Sequence, residues 1–434
     1  MSHEKPGEPA NEYQTGGWKA HWILIVCSLL YMINYVDRTV LTVVVQPMKV
    51  ELGLSDSDIG LLLTAFTLCI AIFSFPVAYL IDRWSRKKSI AVMAFIWSIF
   101  TYVTGLAKNF VGILIPRMLV GVGEAGFSAG GTAMITAAYK PQKHGMALGI
   151  FNVAISVGAA LGTIIGGILS VKMGWRFPFF IFAVPGILLG ICALFLKDYK
   201  TVKVSNSGSS GAGFFNSVAA LLKIPTLRWF FVGYGMMLIM SQAQMAWTPA
   251  LIMREFNVKE DVAGSIAGAG VVLAVIGAIL GGWFTDFWHK RNRKSRMLLP
   301  AITALISAFL LAISALLLSV NWVIAAIIAS FYGLIYFVGA PALSVVSQEV
   351  IHPSHKGLSW GLTVFCMYFL GGAWSPWATG SISDALGGGA RGLQMAIAIS
   401  CIGGLAAAFC FLMGSRSFIS DADKVKGTVI ESEK

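Results

Sequence analysis

Charge is what this sequence has least of. Only 12% of its 434 residues are charged and 57% are hydrophobic, whereas soluble domains carry about 25% charged residues. Mean hydropathy is +0.77, so little of the chain can be solvated surface and an ordinary soluble enzyme is excluded. Cysteine is scarce as well. Cys27, Cys69, Cys192, Cys366, Cys401 and Cys410 all fall inside apolar runs, where they read as small hydrophobes rather than disulfides. No cysteine and histidine stand at metal-ligand spacing, and no glycine-rich phosphate loop occurs. The expectation is therefore no metal, no cofactor, no enzyme activity and no ATP-driven work. Met1 to Trp18 is polar, with Glu4, Glu8 and Glu12, and lacks the apolar centre of a cleavable signal peptide.

What fills the chain instead is a series of apolar stretches near the 20-residue length of a membrane span. They lie at about 21–46, 58–81, 89–107, 110–139, 144–171 and 177–196, then at about 229–253, 262–285, 297–319, 322–348, 357–383 and 392–414. Between the two sets runs a polar segment containing Ser205-Asn206-Ser207-Gly208-Ser209-Ser210-Gly211, a flexible-linker composition. The expected organisation is a tail 1–20, a six-helix bundle 21–196, a linker 197–228, a second six-helix bundle 229–414 and a tail 415–434. The fold class is all-α, spanning the membrane with 12 helices in two pseudo-repeated bundles.

The net charge of +12 would suit nucleic acid, but the basic residues sit in short runs between apolar spans. With the N-terminus inside, inner segments hold 23 lysines and arginines and outer loops hold 7. That bias places both termini in the cytoplasm and excludes a nucleic-acid partner; the partner is the lipid bilayer. Arg38 and Arg117 are the two remaining basic residues, and both lie within spans. All six histidines fall at or beyond inner ends of spans, which argues against a histidine proton relay.

An internal echo supports two related halves. Ala78-x-x-x-Asp82-Arg83-x-Ser85-Arg86-Lys87-Lys88 follows span two, and Gly282-x-x-x-Asp286 follows span eight. Repeats of this kind mark transporters with a site between the halves. Asp82 is expected to face the start of span eleven near Gly357, and Asp286 the start of span five near Gly145. A carboxylate there meets a helix N-terminus, so Asp82, Arg83, Arg86 and Asp286 are candidate latches for the inner side. The alternative is that they are only topology signals.

Four charges lie deep: Asp37 and Arg38 on span one, Arg117 and Glu124 on span four. Each costs at least a few kcal/mol at membrane depth, so each needs a reason. Arg117 and Glu124 are seven apart on one helix face, about 10 Å along the axis. A fixed arginine cation attracts an anion. A carboxyl taken out of water takes up a proton more readily, so Glu124 is a candidate proton carrier that would release Arg38 to the anion. Asp37 and Arg117 are expected to form a pair that breaks and reforms. The alternative, a purely structural ion-pair network, stays open. Gly121, Gly123 and Gly126 on span four, and Gly158, Gly162 and Gly166 on span five, permit close helix approach.

The second half carries no ionisable group near mid-depth. Its candidate substrate contacts are Gln242, Gln244 and Trp247 on span seven, Tyr332 and Tyr336 on span ten, and Tyr368 and Trp374 on span eleven. Asn34 and Tyr35 join Arg38 from span one. Trp and Tyr also populate membrane-interface belts, which is the competing explanation.

Residues 20 to 415 resemble the major facilitator superfamily. Asp82-Arg83-x-Ser85-Arg86-Lys87 is similar to its motif after the second helix, and Arg117-x-x-x-Gly121-x-Gly123 to its fourth-helix motif. Ile33-Asn34-Tyr35-Val36-Asp37-Arg38 with Gly121-Val122-Gly123-Glu124-Ala125 resembles the Spinster-like branch and the neighbouring anion:cation symporters. The resemblance implies alternating access, proton coupling and an anionic or zwitterionic cargo, carried by a chain working as a monomer in a bacterial inner membrane. Sugar acids and small carboxylates are implied by one branch, lysolipids and sphingolipids by the other. A receptor or channel is the remote alternative.

Overall fold

The computed structural model describes residues 17–139, 143–198, 218–351 and 356–431, apart from the side chains at 75, 78–80, 82–83, 144–145, 271–272, 348, 356–358 and 426–431. Among the described residues the chain is helical throughout, as lipid demands of a backbone that has no water to bond. The first half comprises α1 (Gly17–Leu52), α2 (Asp56–Arg83), α3 (Arg86–Gly105), α4 (Phe110–Glu124), α5 (Phe127–Ala138), α6 (His144–Met173) and α7 (Phe177–Leu194). The second comprises α8 (Pro225–Phe256), α9 (Glu260–His289), α10 (Ser295–Leu317), α11 (Trp322–Glu349), α12 (Lys356–Met367), a π-helical turn (Tyr368–Gly372), α13 (Ser375–Ala385), α14 (Gly389–Ile399) and α15 (Cys401–Glu431).

These make twelve rods. Span four is α4 plus α5, span eleven is α12 plus the π turn and α13, and span twelve is α14 plus α15. Ten rods are long and apolar enough to cross a bilayer as they stand. The other two are α8, polar at Ser241, Gln242 and Gln244, and the interrupted span eleven. Several helices overrun the apolar stretches. The 36 residues of α1 give about 54 Å of rod against a hydrocarbon core of about 30 Å, and α15 continues well past residue 414.

Local chemistry sets the ends. Asn109 accepts the N–H of Gly112 at 2.8 Å to start α4, and Asn321 accepts that of Ile324 at 3.1 Å to start α11, both as side-chain N-caps. Gly174, with φ 87°, ends α6, a backbone conformation that glycine adopts without steric cost.

Glycine faces pack the halves internally. A Cβ at Gly158 would strike the Met32 carbonyl, and one at Gly162 would strike Thr39 and the Val36 carbonyl, so α6 lies directly on α1. Gly121 and Gly123 seat α4 against Phe66 and against Ile96 and Trp97 in the same way. The large apolar side chains that point outward, such as Ile279, Trp283 and Phe309, form the lipid-facing surface.

We call the end bearing the α2–α3 turn the inner end and the end bearing the α1–α2 turn the outer end. The halves meet at the outer end. Gly60 abuts the Pro376 backbone, Gly380 the Asp56 carbonyl, Gly167 the Glu260 carbonyl and Gly264 the Thr163 carbonyl. At the inner end the hydrogen bonds among described residues stay within one half: Ser85 to Asp198, Tyr139 with His21, Thr226 to Asp421 and Arg293 to Asp423. Among the described residues the polar contacts between the halves gather at the outer end.

Candidate functional site

The site begins on α1. Arg38 sits mid-helix with its guanidinium 4.8 Å from the Tyr35 ring, one turn earlier, and 5.8 Å from Phe66 of α2. Its Nε donates to Glu124 Oε2 at 2.8 Å. Glu124 is the last residue of α4, just before the break at Ala125-Gly126. Its carboxylate is fully buried, whereas the Arg38 side chain keeps 16% of its surface open. The acid is thus sealed, and the base that holds it borders open space.

That space is a cavity of ≈120 Å³ between the halves. The first half lines it with Tyr35, Arg38, Thr42, Leu63, Phe66, Thr67 and Ile70. The second half contributes Gln242, Met245, Ala246, Tyr368 and Pro376. Tyr368 opens the π turn of span eleven, a feature often found at functional positions. It lines the same cavity as Arg38, so the arginine faces a wall built from both halves.

Arg117 and Asp37 lie behind this wall and are wholly buried. Arg117 Nη2 donates to the Asp37 backbone carbonyl at 3.3 Å, and its guanidinium rests 4.9 Å from the Phe66 ring. The Asp37 carboxylate turns away to accept from Thr101 on α3 at 3.1 Å. The charge pair expected between Asp37 and Arg117 is therefore not closed in this conformation. Asp37 Oδ1 and Arg117 Nε and Nη1 have no hydrogen-bond partner among the described residues, a costly state for buried charged groups.

Of the other expected contacts, Tyr35, Gln242 and Tyr368 line the cavity, and Asn34 is buried beside Glu124. Tyr336 donates to Ser241 at 3.0 Å, with the Tyr332 ring 5.8 Å away; neither borders the cavity. Gln244 is half-buried away from it. Trp247 is fully buried nearer the outer end, and its indole N–H donates to the Pro376 carbonyl at 3.1 Å. That bond ties span seven to span eleven. Trp374 is 43% exposed and donates to the Phe369 carbonyl; it too is absent from the cavity wall.

On the inner side, Asp286 is exposed at the end of α9, and Arg86 is buried in the first turn of α3. Asp82 and Arg83, and the expected partners Gly145 and Gly357, have side-chain surroundings that lie outside the described residues.

Two features escape sequence reasoning. Tyr234 lies among Tyr35, Tyr336 and Tyr368. With Leu238, Ser241, Gln242 and Met245 it forms a stripe at helical spacing along α8, the signal that would have found it. The second is an ion cluster at the outer end. Asp56, at the start of α2, receives Arg254 of α8 through two bonds of 2.6 and 2.7 Å, Ser383 of α13 at 2.8 Å and Lys49 of α1 at 2.5 Å. Asp384 accepts the backbone N–H groups of Asp56 and Ser57 at 3.2 and 2.7 Å, and the Ser57 and Ser381 hydroxyls meet at 3.0 Å. Lys49 is only seven residues away, but Arg254, Ser381, Ser383 and Asp384 are nearly two hundred or more from their partners, a separation that leaves no periodic trace.

A buried arginine–glutamate pair at a cavity between two six-span halves is the layout of a transporter. The model of the Major Facilitator Superfamily matches residues 27–376. The chain belongs to that superfamily. Among curated members it is 29% identical over 271 residues to the probable L-galactonate transporter of Escherichia coli, and 26% identical over 388 residues to protein spinster of Drosophila melanogaster. These matches take in 60% and 85% of this chain but only 60% and 63% of those proteins' lengths. Among solved structures it is similar to a bacterial homologue of the human lysosomal transporter Spinster, in an inward-facing and unoccupied conformation. The TM-score is 0.80 at 24% identity, covering 94% of this chain and 99% of that one, a likeness of fold. The chain is a multi-pass membrane transporter of this superfamily, not an enzyme.

Proposed function

We propose that this transporter is a proton-coupled symporter of a small organic anion, a carboxylate or sugar acid, with both termini in the cytoplasm. The observation that carries the reading is the placement of Arg38: a permanent cation on the cavity wall whose Nε is engaged by a buried carboxylate. Protonation of Glu124 releases the guanidinium, which then binds the cargo's anionic group; deprotonation reclaims it and expels the cargo. Tyr35, Gln242 and Tyr368 supply hydroxyl and amide partners for a hydroxylated body, and Tyr368 ties cargo occupancy to the second half. Asp37 and Arg117, sealed behind Phe66, re-pair during the cycle. The outer cluster around Asp56 holds one gate, and Asp82, Arg83, Arg86 and Asp286 serve the inner one as the halves alternate. One relative's name gives a cargo, L-galactonate; the Spinster-like resemblance implies a lysolipid or sphingolipid instead. The polar groups beside Arg38, from Tyr35, Gln242 and Tyr368, favour the smaller, hydroxylated cargo.

The test is pH-gradient-driven uptake in liposomes with a panel of sugar acids, short carboxylates and lysolipids. Proton-coupled movement of a carboxylate, lost in Glu124→Gln and in Arg38→Ala, supports the reading. Movement of lysolipids alone transfers the chain to the Spinster-type cargo.

A further inference from the structure

The carboxylate of Asp56 is held from both halves at once, and its partners separate when the halves do. Arg254, Ser383 and Asp384 belong to the second half; Lys49 belongs to the first, on the outer turn of α1. Lys49 Nζ and Arg254 Nη2 both sit on Asp56 Oδ1, at 2.5 and 2.6 Å, while the second Arg254 bond and the Ser383 hydroxyl occupy Oδ2. Gln46, also on α1, accepts from Arg254 Nε at 2.9 Å. The Asp56 side chain is fully buried here.

We propose that Lys49 is a hand-over partner: the cation that keeps Asp56 paired after the outer gate opens, and so a residue that favours the outward-open state. The proposal rests on the alternating-access reading above. Its physics is one of differing context. In the closed gate Asp56 has three other bonds, and Lys49 competes with Arg254 for one oxygen as a like charge. In the open gate Arg254, Ser383 and Asp384 have departed with the second half, and Lys49 is the cation left to an acid at the membrane edge. An ion pair matters most where the charge has no other partner. Arg254 and Lys49, two cations on one carboxylate, therefore act on the gate with opposite sign. A staple-like role for both would give them the same sign.

A reporter beneath the gate reads this directly. Thr64 is 1% exposed, and its hydroxyl accepts the Trp377 N–H at 3.3 Å across the halves. Thr64→Cys in right-side-out vesicles is treated from outside with a membrane-impermeant maleimide, and the peptide bearing residue 64 is analysed by mass. Arg254→Gln raises the labelling rate about threefold or more, and Lys49→Gln lowers it by about as much, the scale of a partly exposed ion pair. Lys49→Arg restores the original rate. Detergent melting identifies a variant that does not fold, in which case Lys49→Ala carries the same prediction. If Lys49→Gln raises labelling alongside Arg254→Gln, or leaves it unchanged, the hand-over role is overturned. If residue 64 is reached from outside in no variant, with or without cargo, alternating access itself fails and the assignment falls with it.

Discussion

Arg38 and Glu124 lie on two helices of the same half, 86 residues apart in sequence, and are joined by one 2.8 Å bond between Nε and Oε2. The geometry divides their labour. The acid is enclosed at the broken end of α4, and the base spans from that acid to the cavity wall. Replacing either partner thus has different consequences. Arg38→Ala leaves a buried carboxylate without its cation and removes the cargo's counter-charge, so both folding and binding suffer; truncating one member of a buried pair costs about 3–5 kcal/mol. Detergent melting and cargo binding measure the two losses separately.

Tyr368 lines the Arg38 cavity from the opposite half. Tyr368→Phe removes a hydroxyl without changing the ring. One neutral hydrogen bond contributes about 1 kcal/mol, so apparent cargo affinity is expected to weaken about fivefold, with maximal turnover little changed. Cargo titration of the reconstituted variant checks this. A fall in turnover at unchanged affinity would place Tyr368 in the gate rather than the site.

Thr101 is the donor that holds the Asp37 carboxylate away from Arg117. Thr101→Val keeps the shape and leaves a buried acid oxygen unsatisfied, at a cost of about 1–3 kcal/mol. The expected outcome is a lowered melting temperature. The Asp37→Asn variant is expected to tolerate the same change better, because a neutral amide loses less with its partner. A double-mutant cycle measures the coupling.

Gly162 fixes the approach of α6 to α1, the helix that carries Arg38. A Cβ there meets the Val36 carbonyl and the Thr39 side chain, so Gly162→Ala forces the helices apart, an overpacking cost of about 1–3 kcal/mol. Gly149 has no such neighbour within 4 Å. Gly149→Ala on the same helix is expected to melt near the native temperature, and the pair of melting curves tests whether the close approach is the cause.

Much of this arrangement is legible in the amino-acid sequence. Apolar runs of membrane length have one solution in lipid, and a charge within them is too costly to be incidental, which singles out Asp37, Arg38, Arg117 and Glu124. The glycine spacing of α6 signals a close partner, though not that the partner is α1. Sequence reading fails where a residue type has two uses. Trp247 and Trp374 suit a cargo site or a packing role equally, and their indoles in fact bond the Pro376 and Phe369 carbonyls. It fails again at Asp56, Lys49 and Arg254, each an unexceptional loop-end charge in sequence. Arg254 joins the other two only through the docking of the two halves, which no local pattern encodes. The direction of the Asp37 side chain, toward Thr101 and not Arg117, is equally a matter of packing between three helices.

The account turns on Glu124 as the group that exchanges a proton for the cargo's hold on Arg38. The most direct measurement is proton movement, read by a pH dye trapped in liposomes, when a carboxylate cargo is offered to the reconstituted native chain and to Glu124→Gln; one proton carried with one anionic group moves no net charge, so lumenal pH is the readout. The account predicts cargo-dependent lumenal acidification in the native protein and none in Glu124→Gln, which still binds cargo through its released arginine. A Glu124→Gln protein that retains full cargo-coupled proton movement contradicts it.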